Sequence, residues 1–252
     1  MKKNNDKGEF FIFREKEFYC GHLWEKGERD NNEDSLVFWQ FSKEGKIKAL
    51  AMVCDGIGGL SKGEEASSYV VRQVSNWFMA EGYKLSLQKQ KMKLQQLCYQ
   101  MHEELKKYGE EKGIRLGTTM TCVLVDTKKV VWAHYGDCRL YLLKRRSVQI
   151  LTKEHQKVGK LVRALGVGEW HLFSSGCKRI KKGDRFLLCS DGLYRNIKLE
   201  EVRQWGKRAV NDDGEANRML RQLLERKKHL NEQDNISALY FGYGKREGKG
   251  KV

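Results

Sequence analysis

The amino-acid sequence predicts an α+β fold in one domain with a largely antiparallel sheet system. Three observations predict this fold class: short apolar segments typical of strands, amphipathic helical patterns that do not alternate strictly with them, and a length that fits one mixed core. The chain has 252 residues, of which 40% are hydrophobic, so it can bury a sizeable core. We therefore expect residues 1–252 to form a single domain.

The predicted strands are apolar or alternating segments of about four to eight residues, rich in β-branched and aromatic side chains. This length and composition favour a strand over a buried helix. The strands are predicted at residues 35–41, 47–54, 120–126, 130–135, 139–143, 185–189 and 236–243.

The predicted helices carry apolar residues at a spacing of three to four positions. Residues 63–79 and 94–108 show this pattern between the second and third strands, and residues 200–205 and 215–227 show it near the C-terminus. Strands grouped around helix pairs favour layers of helices and antiparallel sheet.

Lys and Arg number 49 against 33 Asp and Glu, which gives a formal charge of +16. Such an excess suits acidic, phosphorylated substrates and is also found in proteins that bind nucleic acid or membranes. The basic residues are spread from Lys2 to Lys251 without an aromatic-interleaved patch. We therefore expect neither a nucleic acid nor a membrane as a partner.

Seven cysteines form no CxxC pair, and several lie in apolar segments, which is typical of reduced core thiols in an intracellular protein. The N-terminus is not followed by an apolar signal segment, and no uncharged apolar stretch approaches the roughly 18 residues of a transmembrane helix. We expect a cytoplasmic protein. The polar, Gly-rich residues 245–252 are expected to form a frayed basic tail.

Acidic residues stand where predicted strands meet loops. Asp55, Asp137 and Asp191 lie just after strands, and Asp34 and Asp234 lie just before strands. Mg²⁺ and Mn²⁺ prefer oxygen ligands, and a neighbouring glycine lets carbonyl groups and water approach closely. Asp-Gly is also an ordinary turn signal, so any one pair alone favours a turn. The sequence pattern does not show that these carboxylates meet in space.

Seven short motifs contain these acids and follow one another in a fixed order. They are RDNNED at 29–34, DGIGG at 55–59, GTTM at 117–120, GDCRLY at 136–141, LTKEH at 151–155, SDGL at 190–193 and DNIS at 234–237. In order and content they resemble the protein phosphatase 2C family of metal-dependent serine/threonine phosphatases, in its compact bacterial form. The resemblance implies a four-layer α-β-β-α sandwich, in which two mostly antiparallel sheets are flanked by helix pairs.

The resemblance also implies a catalytic site with two Mn²⁺ or Mg²⁺ ions. Asp55 would bridge the ions, the carbonyl group of Gly56 would complete one site, and Asp191 and Asp234 would hold the other ion. Such a pair of ions activates water and offsets charge on the phosphoryl oxygens. The implied reaction is hydrolysis of a phosphomonoester by metal-activated water.

The resemblance gives outer roles to four more residues. Asp34 and Glu33 would lie beside the ions and bind mostly through coordinated water. Arg29 lies at the phosphate-clamping position, where a guanidinium can grip two oxygens; the alternative is a solvated surface arginine. Asp137 corresponds to an aspartate that, with the equivalent of Asp191, binds a third, weaker ion in bacterial relatives. A hydrogen bond that supports the turn remains an equal alternative for Asp137.

Three residues of the motifs are expected to support the site. Thr118 and Thr119 begin a strand, and we expect them to hold the metal-site loops in place rather than to react. For His155 we favour a structural contact over a role as catalytic base.

Three features depart from the family pattern. Ile57 stands where some members have a histidine that protonates the leaving group, and isoleucine cannot transfer a proton. The segment from His155 to Leu165 is too short for the usual flap, so we expect a minimal flap and a more open site. Arg195 replaces the usual acid; we favour a loop residue with little role, although a side chain facing the site would add positive charge near the phosphate.

The function implied by the resemblance is a serine/threonine protein phosphatase with phosphoserine and phosphothreonine proteins as partners, opposing a Ser/Thr kinase in signalling. The alternative is a catalytically weak or inactive regulatory member of the same fold that binds phosphoproteins. Retention of the full acidic set argues against this alternative.

Overall fold

The computed structural model describes residues 9–12, 18–43, 46–57, 60, 62–158, 160–181, 183–208, 210–227 and 234–243. The predicted tail at 245–252 and residues 58–59 of the DGIGG motif lie outside them. The strands are β1 (Glu9–Ile12), β2 (Phe18–Glu25), β3 (Asp34–Lys43), β4 (Lys46–Asp55), β5 (Met120–Asp126), β6 (Lys129–Tyr135), β7 (Arg139–Lys144), β8 (Ser147–Ile150), β9 (Gln156–Lys157), β10 (Lys160–Leu161), β11 (Ser174–Arg179), β12 (Arg185–Cys189) and β13 (Ile236–Tyr243). The α-helices are α1 (Gly63–Ala80), α2 (Leu87–Lys112), α3 (Asp191–Tyr194), α4 (Leu199–Lys207) and α5 (Asp213–Lys227), and a short 3₁₀ helix spans Gly82–Lys84.

Two sheets and two helix pairs form four layers. The first sheet has the order β1-β3-β4-β5-β6-β11 and is antiparallel except for the pair β1 and β3. The second sheet, β2-β13-β12-β7-β8, is antiparallel throughout. Helices α1 and α2 pack on the outer face of the first sheet, and α4 and α5 pack on the outer face of the second. The predicted α-β-β-α sandwich is confirmed.

The side chains of β3 show how the sequence produces these layers. Leu36 and Phe38 pack between the two sheets, whereas Val37 and Trp39 pack against the layer of α1 and α2. Successive side chains of a strand point to opposite faces, so a strand covered on both faces needs a continuous apolar segment. Each fully buried large aliphatic side chain contributes about 1.5–3 kcal/mol.

The predicted elements are confirmed, with some longer than expected. The helix predicted at 94–108 spans Leu87–Lys112, because the Ser86 side chain accepts a hydrogen bond from Lys89 N–H at its start, and Gly113, at a φ of 64°, ends it. Strands β1, β2, β8, β9, β10 and β11 were not predicted, and β11 consists mostly of small and polar residues at the sheet edge. Its Cys177 is exposed, so the expectation of core thiols holds for the other six cysteines, which are buried.

The segment after His155 contains a hairpin of two residue pairs. β9 and β10 pair Lys157 with Lys160 and Gln156 with Leu161, and the turn contains Val158 at a φ of 50°. In the part of the chain that the structure describes, no helix combines the length and apolar character needed to cross a membrane.

Candidate metal centre

The antiparallel topology brings five aspartates to one edge of the sandwich. Asp55 ends β4 and pairs across the sheet with Asp34, the first residue of β3. In the second sheet, the C-terminal end of β12 lies beside the N-terminal ends of β13 and β7. Asp191 follows β12 after one intervening residue, Ser190, whereas Asp234 precedes β13 and Asp137 precedes β7. Carboxylates that are far apart in sequence therefore meet where the strands end.

A pocket of about 380 Å³ opens at this edge. It brings together most of the predicted site residues, whereas Asp34 is almost fully buried next to Asp55, with 2% of its surface exposed. The pocket is lined by Arg29, Asp55, Gly56, Ile57, Thr119, Asp137, Gln156, Leu161, Asp191, Arg195 and Asp234.

The carboxylate of Asp34 is held between the two sheets. Ser190 Oγ donates a hydrogen bond to Asp34 Oδ2 at 2.9 Å, and Trp24 Nε1 donates to the Asp34 carbonyl oxygen at 2.8 Å. Burial raises the pKa of Asp34 to about 7, and the charges of Asp191 and Asp234 add to this shift. An ionised Asp34 is therefore costly in the metal-free protein.

Two threonines fix the main chain of Asp55. Thr119 Oγ1 accepts a hydrogen bond from Asp55 N–H at 3.0 Å, and Thr118 Oγ1 donates to the Asp55 carbonyl oxygen at 2.9 Å. These contacts confirm the expectation that both threonines support the site loops. Burial raises the pKa of Asp55 well above its ordinary value, and the nearby charges of Asp34 and Asp191 raise it further.

Asn235 ties the loop before β3 to the start of β13. Its Oδ1 accepts a hydrogen bond from Glu33 N–H at 2.8 Å, and its Nδ2 donates to the carbonyl oxygens of Lys26 at 2.7 Å and Asn31 at 3.0 Å. No role was predicted for Asn235 from the sequence, although its place after Asp234 in the DNIS motif was the available signal. Asn235 thus positions Glu33 and the loop of Arg29 beside Asp234.

Two glycines allow the close packing of the site. A Cβ atom at Gly56 would lie 2.6 Å from the main chain of Gly63, and a Cβ atom at Gly192 would lie 2.2 Å from the carbonyl oxygen of Asn235. Neither distance is compatible with a side chain unless the main chain moves. The loop after β4 and helix α3 therefore depend on glycine to approach their neighbours.

Two guanidinium groups flank the carboxylates. Arg29 Nη2 lies 3.2 Å from Asp234 Oδ1, Arg195 Nη2 lies 2.5 Å from Asp191 Oδ2, and Arg195 Nη1 lies 3.9 Å from Asp234 Oδ2. Arg195 faces the site, contrary to the preferred interpretation as a loop residue, because its side chain folds back over the first turn of α3 and lines the pocket.

Asp137 has a hydrogen-bond partner in the β9–β10 hairpin that follows His155. Gln156 Nε2 donates to Asp137 Oδ2 at 2.7 Å, and burial raises the pKa of Asp137. Among the described residues, the ligand atoms of Asp55, Asp137 and Cys138 form a group within 4.8 Å of one another. Hard divalent ions favour the two carboxylates over the Cys138 thiol, which lies 3.3 Å from Thr119 Oγ1.

His155 supports the loop that carries Asp137. Its Nδ1 accepts a hydrogen bond from Gly136 N–H at 3.1 Å, so its Nε2–H donates to Ser174 Oγ at 2.7 Å. Burial lowers the pKa of His155 to about 4. With both ring nitrogens engaged, the residue makes the structural contact expected from the sequence.

The donor set fits hard divalent cations. Carboxylate oxygens dominate the polar lining, and Mg²⁺ and Mn²⁺ bind such oxygens. The pKa of Asp191 is raised to about 6, first by burial and then by the charge of Asp137, although Arg195 opposes this shift. The two arginines of the lining do not neutralise all four aspartates. A divalent ion would offset the negative charge that remains.

Comparison with known proteins identifies the family of this chain. The family model for protein phosphatase 2C matches residues 26–232. The serine/threonine phosphatase stp of Listeria monocytogenes is 25% identical over 236 residues, which cover 84% of this chain and 90% of that protein. Protein phosphatase PhpP of Streptococcus pneumoniae is 23% identical over 217 residues, which cover 72% of this chain and 81% of that protein.

A solved structure shares the fold. The crystal structure of the serine/threonine phosphatase Stp1 from Staphylococcus aureus matches with a TM-score of 0.76 and 23% identity, over 92% of this chain and 99% of that chain. The match of the family model over most of the chain confirms the family predicted from the seven motifs. This chain belongs to the protein phosphatase 2C family.

Proposed function

We propose that this protein is a metal-dependent serine/threonine protein phosphatase that acts on phosphoserine and phosphothreonine proteins and opposes a Ser/Thr kinase in the cytoplasm. The observation that carries the proposal is the convergence of Asp55, Asp191 and Asp234 on one open pocket with Arg29 at its mouth. Relatives named as serine/threonine phosphatases support the substrate class.

The proposed metal site uses the carboxylates at the strand ends. Asp55 would bridge two Mn²⁺ or Mg²⁺ ions, the carbonyl group of Gly56 would complete one site, and Asp191 and Asp234 would hold the other ion. When bound, these ions supply the Lewis acidity that activates water and offsets charge on the phosphoryl group.

Three further acids take outer roles in the proposal. Asp34 and Glu33 would contact the ions through water. Asp137 would hold a weak third ion once its carboxylate leaves the Gln156 side chain.

The chain's own residues fix the geometry before a substrate arrives. The threonines hold the main chain of Asp55, Ser190 holds Asp34, and Asn235 holds the loop of Arg29. Groups that are already in place need little reorganisation during the reaction, which lowers the barrier. The Arg29 guanidinium is half-exposed at the pocket mouth, where it can turn from Asp234 toward phosphate oxygens.

A substrate comparison tests the proposal. Purified protein is assayed on phosphoserine, phosphothreonine and phosphotyrosine peptides and on an aryl phosphate, with Mn²⁺, with Mg²⁺ and with a chelator. We expect metal-dependent turnover of the phosphoserine and phosphothreonine peptides that stops with the chelator and returns with Mn²⁺. Binding of these peptides without turnover would favour the regulatory alternative, and turnover that the chelator does not change would contradict the metal site.

Replacing Arg29 with alanine is expected to raise KM about tenfold and to change kcat by less than about threefold. A charged hydrogen bond to phosphate stabilises the complex by about 1.5–3 kcal/mol, and Arg29 has no group placed to react. Steady-state kinetics on the phosphothreonine peptide measure both constants. The control is Arg203→Ala, a half-exposed arginine of α4 paired with Glu200. An unchanged KM in Arg29→Ala would show that Arg29 does not bind phosphate.

Mn²⁺ is expected to raise the melting temperature by several degrees more at pH 8 than at pH 5.5. The pKa values of Asp34, about 7, and Asp191, about 6, lie above the unfolded value of about 3.9. These two carboxyl groups therefore contribute their full stability to the metal-free fold below about pH 4. This contribution to the free energy of unfolding is lost as the pH rises through 6 to 7. Bound cations offset the ionised carboxylates, so their contribution is larger at high pH.

Thermal melts with chelator and with Mn²⁺ at both pH values measure this difference, and the chelator melts serve as the internal control. A gain that is equal at the two pH values, or larger at pH 5.5, would contradict a metal site built on these aspartates.

A further inference from the structure

Arg195 lies one turn after Asp191 on a fixed piece of main chain. Its N–H donates to the Asp191 carbonyl oxygen at 2.9 Å, and residues 191–194 of α3 are buried. Positions four apart share one face of a helix, so the guanidinium reaches the Asp191 carboxylate. The side chain of Arg195 is 54% exposed, in contrast to 11% for that of Asp191. The guanidinium is therefore the part of this ion pair that is free to move.

Asp234 is flanked by two arginines. Arg29 lies 3.2 Å from its Oδ1 and Arg195 lies 3.9 Å from its Oδ2. The two side chains come from separate elements, the loop before β3 and the end of α3, and both line the mouth of one pocket. A phosphate group above the carboxylates would thus have a guanidinium on either side.

The formal charge of the pocket lining would change sign if two divalent ions were bound. Its lining contains four aspartates and two arginines, which gives a formal charge of −2. Two divalent ions would convert this charge to +2, which matches a fully ionised phosphomonoester. Without Arg195 the loaded pocket would carry one positive charge less. Arg195 therefore favours a dianionic ligand in the loaded site and opposes ion binding in the empty one.

We propose that Arg195 is a second phosphate-binding residue that competes with the divalent ion for Asp191 and Asp234. Without an ion, its guanidinium compensates these two carboxylates. A bound ion displaces it to the pocket mouth, where it joins Arg29 on the phosphoryl oxygens. The phosphate role rests on the proposed function, whereas the competition with the ion rests on the ion pairs alone.

The test uses Arg195→Gln, which removes the charge and leaves a shorter polar side chain, and Arg195→Lys, which keeps a charge without the planar fork. Arg203→Gln is the control, since Arg203 lies on α4 and pairs with Glu200 at 3.6 Å. Mn²⁺ is titrated calorimetrically into chelator-stripped proteins without substrate. We expect Arg195→Gln to bind Mn²⁺ about tenfold more tightly than the parent protein, and Arg195→Lys to lie between the two.

Phosphate affinity is the second measurement. Binding of inorganic phosphate to the Mg²⁺-saturated proteins should weaken about tenfold in Arg195→Gln and less in Arg195→Lys, and KM for an aryl phosphate should rise in parallel. Unchanged or weaker Mn²⁺ binding in Arg195→Gln, or unchanged phosphate binding, would overturn the proposal. If the parent protein does not turn over substrate, the proposed function fails, but the Mn²⁺ and phosphate titrations still decide the role of Arg195.

Discussion

Asp55→Asn is expected to lower kcat on a phosphothreonine peptide by at least about 10³-fold in the presence of Mn²⁺, which corresponds to about 4 kcal/mol of transition-state stabilisation. Asp55 ends β4 opposite Asp34 and lines the pocket together with Asp191. As the proposed bridging ligand, it contributes to both ion sites. Asparagine keeps the shape of the side chain but removes the charge that draws the ions.

The same substitution is expected to stabilise the metal-free protein. Burial and neighbouring carboxylates raise the pKa of Asp55 well above its ordinary value, so an ionised Asp55 opposes folding at pH 8. A neutral side chain should therefore raise the melting temperature of the metal-free protein at pH 8 above that of the parent protein. The stabilisation by Mn²⁺ should be lost at the same time.

Asp126→Asn is the matched control for both measurements. Asp126 is the last residue of β5 and pairs with Lys48 near the start of β4, so it lies at the end of these strands opposite Asp55. Its Oδ1 accepts hydrogen bonds from Lys128 N–H and Lys129 N–H. An asparagine oxygen can accept the same bonds, so turnover and the Mn²⁺ effect should stay within a factor of about two. Turnover in Asp55→Asn close to that of the parent protein would remove Asp55 from the site.

Gly192→Ala is expected to reduce both stability and turnover strongly. Its Cβ atom would lie 2.2 Å from the carbonyl oxygen of Asn235 and 3.3 Å from Asp234 Cβ, so α3 must move away from the start of β13. Overpacking against main chain costs about 3 kcal/mol, or roughly 6–12 °C in melting temperature. A displacement of about 1 Å between Asp191 and Asp234 would lower kcat about 10²-fold.

Gly214→Ala is the control for this substitution. The position lies in the first turn of α5, where the nearest contact of a Cβ atom is the flexible Asp212 side chain at 3.2 Å. We expect its melting temperature to stay within about 2 °C of the parent value, because alanine favours the helix. A melting temperature of Gly192→Ala equal to that of the control would contradict the close packing of α3 against Asn235.

The sequence predicts which site residues lie at strand ends, but its local patterns do not predict which of them lie close together in space. Asp55 and Asp191 lie within two residues of the end of an apolar segment, so hydrophobic patterning alone places them at strand ends. Asp234 reaches them only because β12 pairs with β13, strands separated by about 46 residues along the chain. Such pairing is a tertiary property that no local pattern contains. From the sequence, Asp234 was assigned to the site only through the order of the family motifs.

Arg195 shows why part of the site was misjudged. Its spacing of four residues from Asp191 would predict an ion pair on a helix, but α3 is a single turn and too short to produce a periodic pattern. Gln156 was missed for a related reason: the hairpin that carries it has only two pairs of residues, and its contact with Asp137 is 19 residues away in sequence. Short elements are fixed by tertiary packing rather than by propensity.

The most direct test of the metal centre is an anomalous difference map, recorded near the manganese absorption edge, from a crystal soaked in Mn²⁺. We predict two peaks in the pocket among Asp55, Asp191 and Asp234, with the carbonyl oxygen of Gly56 next to one of them. A pocket without anomalous density at saturating Mn²⁺, or density confined to other acidic groups of the protein, would contradict the proposal that these aspartates form the metal centre.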